Sequence, residues 1–314
     1  MDYRTLGNSG LRVSLVGLGC NNFGRRIDYA ASEPVVHKAL DLGITLFDTA
    51  DVYRSEIGGS EEFLGRALGP RRKDIVLATK VSMPMDHGPR SASRRTIIAG
   101  AEASLRRLNT DWIDLYQQHQ PDPSTPIEET LRAFDDLIRA GKVRYIGCSN
   151  LKAWQVVESR WTSRSLGLAP FVSCQDEYSL LTRRADRELI PMVQAYGMGL
   201  LPYYPLAGGA LTGKYRRNSS MPEGARLTLH GARYGDRFLN DATWPVLESL
   251  EAFAEARGKT LLQLAFSWLA AWPCVSSIIA GATKPEQLET NIRAIGWELT
   301  DDELRELDRI TATG

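Results

Sequence analysis

The sequence predicts a single α/β domain over residues 1–314, a (β/α)8 TIM barrel with an N-terminal β-hairpin and a long loop after its seventh strand. Three observations carry that prediction. Short apolar runs recur eight times, amphipathic stretches of helical period separate them, and no Pro/Ser-rich linker or shift in composition divides the chain. The runs fall at 15–19, 44–48, 75–80, 113–119, 143–149, 171–175, 200–203 and 276–280. Their apolar residues occupy consecutive positions, as in parallel strands covered on both faces. Alternating strands and helices fit a doubly wound sheet or a closed barrel, and the count of eight favours the barrel.

The hairpin is expected first, with arms at 3–6 and 11–14 and a turn at Asn8-Ser9-Gly10. Helical patterns follow at 33–42, 60–68, 93–108, 127–140, 153–165, 184–196, 243–257, 261–271 and 285–294. Ser60 before Glu61 and Glu62, and Thr125-Pro126 before Ile127, are start signals; Gly43 and Gly141 are stop signals. Residues 207–243 form the long connection, rich in Gly and Arg, and a short charged helix follows Asp301. A loop that long in a compact domain points to function.

Composition narrows the function. Of 314 residues 43% are hydrophobic, enough to bury a large core, and 38 basic residues balance 38 acidic ones. A nucleic-acid or membrane-surface partner would call for a basic excess. The four cysteines (Cys20, Cys148, Cys174, Cys274) lie far apart with no metal-ligand spacing, so neither a disulfide framework nor a metal site is expected. The N-terminal segment MDYRTLGNSG has no apolar core of a signal peptide, and no apolar run is as long as a membrane span, so a cytoplasmic location is expected.

In a barrel the site lies at the carboxyl ends of the strands. Asp48 ends the second strand with Tyr53 in the loop beyond, Lys80 ends the third, His119 the fourth, Ser149 and Asn150 the fifth, Gln175 the sixth, and Tyr203 and Tyr204 the seventh. Taken singly, each has a structural explanation: a helix-capping Asp, a solvated Lys, a hydrogen-bonded His, a packed Tyr. Together their roles are complementary. Asp48 can hold Lys80 charged, and Lys80 beside Tyr53 would lower a phenol pKa from its usual ~10, making a general acid usable near neutral pH. His119 can then orient a substrate oxygen. A metal-dependent hydrolase would need clustered His/Asp ligands, yet of four histidines only His119 lies at a strand end.

Here the sequence resembles the aldo-keto reductases over nearly its whole length. The resemblance lies in Phe47-Asp48-Thr49-Ala50-Asp51-Val52-Tyr53, Gly59-Ser60-Glu61-Glu62, Ala78-Thr79-Lys80, Asp114-Leu115-Tyr116-Gln117-Gln118-His119 and Gly141–Asn150. It continues in Tyr203-Tyr204-Pro205-Leu206, Leu211-Thr212-Gly213-Lys214-Tyr215 and Gly281-Ala282-Thr283-Lys284-Pro285. It implies Asp48, Tyr53, Lys80 and His119 as catalytic residues, with hydride transfer from NADPH (NADH possible) to a small-molecule aldehyde or ketone and Tyr53 protonating the alkoxide. The family also includes channel β-subunits, so a cofactor-bound regulatory subunit is the alternative.

Two glycine patterns need another explanation. Gly17-Leu18-Gly19 with Gly24 misplaces the third glycine of a dinucleotide-binding turn, and Gly208 to Gly213-Lys214-Tyr215 lacks the Ser/Thr of a P-loop. By resemblance the 206–214 loop, from Leu206 through Gly213 to Lys214, wraps the cofactor pyrophosphate. Asn150 and Gln175 take the nicotinamide carboxamide, Tyr203 stacks on the ring, Asn21, Asp48, Ser149, Tyr204 and Pro205 are further cofactor-binding residues, and the segment that begins with Gly281 and Thr283 opens a helix whose N-terminus suits a phosphate. Gln287 and Asn291 flank the adenosine half at a helix N-terminus, and Lys284 beside the ribose favours NADPH. Relatives place arginine at Gln287 and often serine at Tyr204, and the 51–61 loop carries extra residues. Asn21, Asn22 and Phe23 are candidates for the substrate-pocket wall, followed by Met83, Met85 and Trp112.

Overall fold

A computed structural model describes residues 1–56, 58–83, 91–229 and 232–312. Strands β1 (Tyr3–Thr5) and β2 (Arg12–Ser14) pair antiparallel as the expected hairpin. The barrel begins with β3 (Val16–Gly19) and β4 (Leu46–Asp48), above which β5 (Arg54–Ser55) and β6 (Gly58–Gly59) form a two-residue ladder. It continues through β7 (Val76–Val81), β8 (Ile113–Gln118), β9 (Val143–Ser149), β10 (Ser173–Glu177), β11 (Gly199–Tyr203) and β12 (Ile278–Gly281). The eight barrel strands are parallel, in the order β11-β10-β9-β8-β7-β4-β3-β12. Leu200 nearly closes the ring: its N–H donates to Cys274 O at 2.7 Å and its carbonyl accepts from Ser276 N at 2.9 Å.

Helices α1 (Tyr29–Asp41), α2 (Ser60–Leu68), α3 (Arg94–Leu108), α4 (Ile127–Arg139), α5 (Ala153–Leu166) and α6 (Leu189–Ala195) alternate with the strands. Beyond β11 come α7 (Arg226–Leu229), α8 (Ala232–Phe238), α9 (Thr243–Glu255), α10 (Leu261–Ala270), α11 (Pro285–Arg293) and α12 (Asp301–Thr311). Side-chain caps set several starts: Asp28 accepts from Ala31 N, Ser93 from Thr96 N, Thr260 from Gln263 N and Thr300 from Glu303 N.

Four expectations shift. The first helix starts at Tyr29 rather than residue 33, because Asp28 caps it. The sixth strand runs Ser173–Glu177 rather than 171–175, so Gln175 lies mid-strand beside Ser149 and Leu201. The pattern at 184–196 is a 3-10 turn (Arg184–Asp186) followed by α6, since Pro191 has no N–H to give the Arg187 carbonyl and falls in the first turn of the new helix. The long connection contains a 3-10 segment (Ala207–Thr212), α7 and α8.

The hairpin seals the amino end of the barrel. Leu6 and Val13, both 0% exposed, pack with Leu46, Val76, Ala78, Leu115, Leu201 and Ile279. The Arg4 guanidinium donates to the carbonyls of Ala270, Trp272 and Val275 ahead of β12. Gly7, at φ +56, lets the turn lie against the start of β11, where a Cβ would meet Gly199 N at 2.5 Å. One end is thus closed by apolar packing, and function is left to the other.

Candidate active site

At the carboxyl end, four candidate residues from three successive strands and the loops after them converge. Lys80 is fully buried, and its Nζ donates to Asp48 Oδ2 at 2.6 Å and to Thr49 O at 2.8 Å. The ammonium lies 5.0 Å from the Tyr53 ring centroid, and that ring meets His119 edge-to-face at 5.9 Å. Asp48 Oδ1 accepts from Gln175 Nε2 at 2.8 Å and from Gln117 Nε2 at 3.2 Å, so both carboxylate oxygens are committed. Removing one partner of a buried pair like Lys80–Asp48 costs about 3–5 kcal/mol, because the other charge is stranded.

The electrostatics amend one expectation. Burial raises the Tyr53 phenol above its ordinary value, and Lys80 opposes the rise without reversing it. Burial alone would lower Lys80, but Asp48 and then Tyr53 outweigh it and keep the ammonium above the usual lysine value. Burial, then Lys80, push His119 well below its ordinary value, so its imidazole is neutral at neutral pH; its buried Nδ1 has no hydrogen-bond partner among the described residues.

A cleft of about 1120 Å³ opens above this cluster. Most predicted site residues line it: Asn21, Asn22, Asp48, Tyr53, His119, Ser149, Asn150, Gln175, Tyr203, Tyr204, Pro205, Leu206, Lys214, Gly281, Thr283, Gln287 and Asn291. Asn150 Nδ2 donates to His119 O and Ser149 Oγ, and Tyr203 Oη donates to Asn150 Oδ1 at 2.8 Å. Gln287 Oε1 caps its helix by accepting from Thr283 N at 2.8 Å.

Other candidates are not brought to the cleft. Lys80 lies beneath it. Phe23 is 0% exposed and belongs to the core between barrel and helices. Gly213 is the left-handed end of the 3-10 segment, and exposed Lys284 sits at the N-cap of α11; neither lines the cleft. Trp112 precedes β8, at the opposite end of the barrel, where Arg72 and Arg144 stack on it. Met83 does not line the cleft, and Met85 lies outside the described residues.

Sequence reasoning missed Arg25, Arg26 and Arg226, which add positive charge to the lining. Arg26 Nη2 donates to Gly224 O at 3.4 Å, bridging the loop after β3 and the long connection. Burial, then the nearness of Arg26, lower the pKa of Lys214 on the opposing wall. The Arg226 guanidinium lies 5.1 Å from the Tyr204 ring, and its buried Nε has no partner among the described residues. Tyr204, at φ +51, also packs edge-to-face on Tyr203 and on Phe238 of α8. An arginine in a polar loop carries no pattern, and only the closed barrel brings these loops together.

The family model "Aldo/keto reductase family" matches residues 15–312. The chain belongs to the aldo/keto reductase family. It is 38% identical over 305 residues to a probable voltage-gated potassium channel subunit beta of Arabidopsis thaliana, covering 94% of this chain and 91% of that one. It is 36% identical over 321 residues to an uncharacterized oxidoreductase of Bacillus subtilis (strain 168), covering 99% and 96%. It is 33% identical over 326 residues to the L-glyceraldehyde 3-phosphate reductase of Escherichia coli (strain K12), covering 100% and 93%. Among the described residues of this aldo/keto reductase, no helix is long and apolar enough to cross a membrane.

Proposed function

We propose that this aldo/keto reductase reduces small aldehydes or ketones to alcohols using NADPH, with NADH as the alternative, and that Tyr53 is the proton donor. The observation that carries the reading is the buried Lys80, held by Asp48 and Thr49 with the Tyr53 ring 5.0 Å away, at the floor of the cleft. A bound nicotinamide cofactor supplies the hydride.

The chain fits such a cofactor. The cleft is large enough for a dinucleotide, its lining carries Arg26, Lys214 and Arg226, and Arg226 Nε is an orphaned donor that an anion would satisfy. Asn150, Gln175 and Tyr203 would hold the nicotinamide, and the 206–214 segment with Lys214 the pyrophosphate. Asn21 and Asn22 adjoin the same space, for Asn22 Nδ2 donates to Ala282 O next to Gly281. Support for NADPH rests on Arg26 and Arg226, lining cations besides the Lys214 assigned to the pyrophosphate, since Lys284 does not line the cleft. All four cysteines are free and buried, which suits a reducing cytoplasm.

In this reading Lys80 stabilises the Tyr53 phenolate left once Tyr53 has given its proton to the carbonyl oxygen, and Asp48 keeps Lys80 charged. Neutral His119 donates a hydrogen bond that orients the same oxygen. The raised phenol pKa keeps Tyr53 protonated before the reaction, as a donor must be.

Replacing Tyr53 with Phe should lower kcat by roughly 100-fold or more while NADPH affinity, read by fluorescence titration, stays within about two-fold. Full turnover in this variant would remove Tyr53 from the mechanism. The likeness to channel β-subunits supports a second reading, a cofactor-binding regulatory subunit. Steady oxidation of NADPH by wild-type protein with a generic aldehyde excludes that reading, and binding without turnover establishes it.

A further inference from the structure

Beneath the cleft a closed hydrogen-bonded ring joins three side chains, and one of them has no part in the reading above. Gln117 is 0% exposed, lies beside Lys80 in the β7–β8 register, and does not line the cleft. Its Nε2 donates to Asp48 Oδ1 at 3.2 Å, and its Oε1 accepts from Gln175 Nε2 at 3.4 Å. Gln175 Nε2 gives its second hydrogen to Asp48 Oδ1 at 2.8 Å.

The orientation of both amides follows from chemistry. An ionised carboxylate only accepts, so each glutamine must turn its NH2 toward Asp48. Gln117 then offers its carbonyl to the other N–H of Gln175. Both donors of Gln175 are thereby used inside the barrel, and Oε1 is the polar atom it has left for the cleft that it lines. The barrel makes room for this ring at Gly147 on the next strand, where a Cβ would meet Gln117 Cγ at 3.3 Å and Ser173 Oγ at 2.7 Å.

We propose that Gln117 is a positioning residue that fixes the amide of Gln175 with its carbonyl toward the cleft, and so makes the site select a cofactor ring bearing an NH2 donor. The inference rests on the nicotinamide-binding reading of Gln175. Without Gln117 one N–H of Gln175 would be buried and unpaired, which is costly. Rotating the amide to give that N–H to the cleft relieves the cost and spoils the aim of Oε1. The same ring occupies Asp48 Oδ1 and leaves Oδ2 to Lys80, tying cofactor recognition to the candidate proton donor through one carboxylate.

The experiment compares NADPH with its 3-acetylpyridine analogue, in which a methyl group replaces the amide NH2. Both affinities are titrated by fluorescence without substrate, in wild-type protein and in Gln117→Met, which keeps length and nearly keeps volume but cannot donate and accepts only weakly. Wild-type protein should prefer NADPH by about ten-fold, the worth of one hydrogen bond, and Gln117→Met should cut that preference at least three-fold while melting cooperatively. A smaller cut, or a wild-type protein with no preference, overturns the proposal. Should Gln117→Met fail to accumulate, Gln117→Asn, one methylene too short to reach both partners, is read by the same criterion.

Failure of the broader reading would look different. Wild-type protein that binds neither dinucleotide sinks the cofactor assignment and this inference together. Undiminished turnover in Tyr53→Phe sinks only the proton donor, and the affinity ratio still decides the role of Gln117.

Discussion

Buried charge at the residue scale is concentrated around the candidate site, and much of it is not in the tetrad. Asp51, at the edge of the Tyr53 loop, is pushed up to about 7 by burial and then by Glu61, against Arg107. Asp176, next to Gln175, is pushed up to about 8 by burial, against Arg184 and the Asn150 N–H. Both carboxyls start from an ordinary 3.8 in the unfolded chain, so between these values the folded state binds more protons. Their stabilisation is full at acid pH and is lost as pH rises through the folded values. His119 acts in the opposite sense, but only below its ordinary 6.5, where the unfolded chain takes up a proton that the buried ring refuses. From pH 6.5 to 8, therefore, Asp176 alone should remove about 2 kcal/mol of stability. The melting temperature should fall over that interval in wild-type protein and fall less in Asp176→Asn; equal slopes would show that Asp176 is ionised in the fold.

At the scale of elements, the long connection between β11 and α9 acts as a strap. Tyr204 anchors it: its backbone is held at φ +51 while its ring packs on Phe238 and carries Arg226. Arg237 of α8 pairs with buried Glu177 at the end of β10, latching the strap to the barrel rim. Sequence assigned the cofactor's extra charge to Lys284, a reasonable inference for a first helical turn. The structure places that side chain outside the cleft and Arg226 inside it. Arg226→Ala should therefore weaken NADPH binding by about ten-fold or more, the worth of a charge-assisted hydrogen bond, and Lys284→Ala by less than about two-fold. Calorimetric titration of both variants decides the matter, and the reverse order would return the role to Lys284. A helix with a start and a stop signal, such as α4 between Thr125-Pro126 and Gly141, was legible in the sequence because its signals are local. The 184–196 pattern was not, since periodicity there hid the break that Pro191 forces.

In the molecule as a whole, the two ends of the barrel divide the labour. The hairpin plugs the amino end with Leu6 and Val13, and that apolar layer is the floor on which the Asp48–Gln117–Gln175 ring and Lys80 rest. Leu6→Ala should cost about 2–5 kcal/mol, a deletion in a fully buried layer. Its denaturant midpoint should drop with unchanged m-value, and no change in midpoint would mean that the hairpin is dispensable to the barrel.

Read alone, the sequence determined the eight-strand alternation, the hairpin, and the order in which Asp48, Tyr53, Lys80 and His119 appear. Each rests on neighbours within a few residues, where apolar period, caps and glycine turns express local preference. Only the tertiary structure decided which side chains meet. It buried Phe23, left Lys284 exposed outside the cleft lining, gathered Arg26, Lys214 and Arg226 around one cleft, and set Gln117 against Asp48 across 69 residues of chain. It also reversed the expected direction for Tyr53, because desolvation is a property of the packed site and outweighs the lysine beside it.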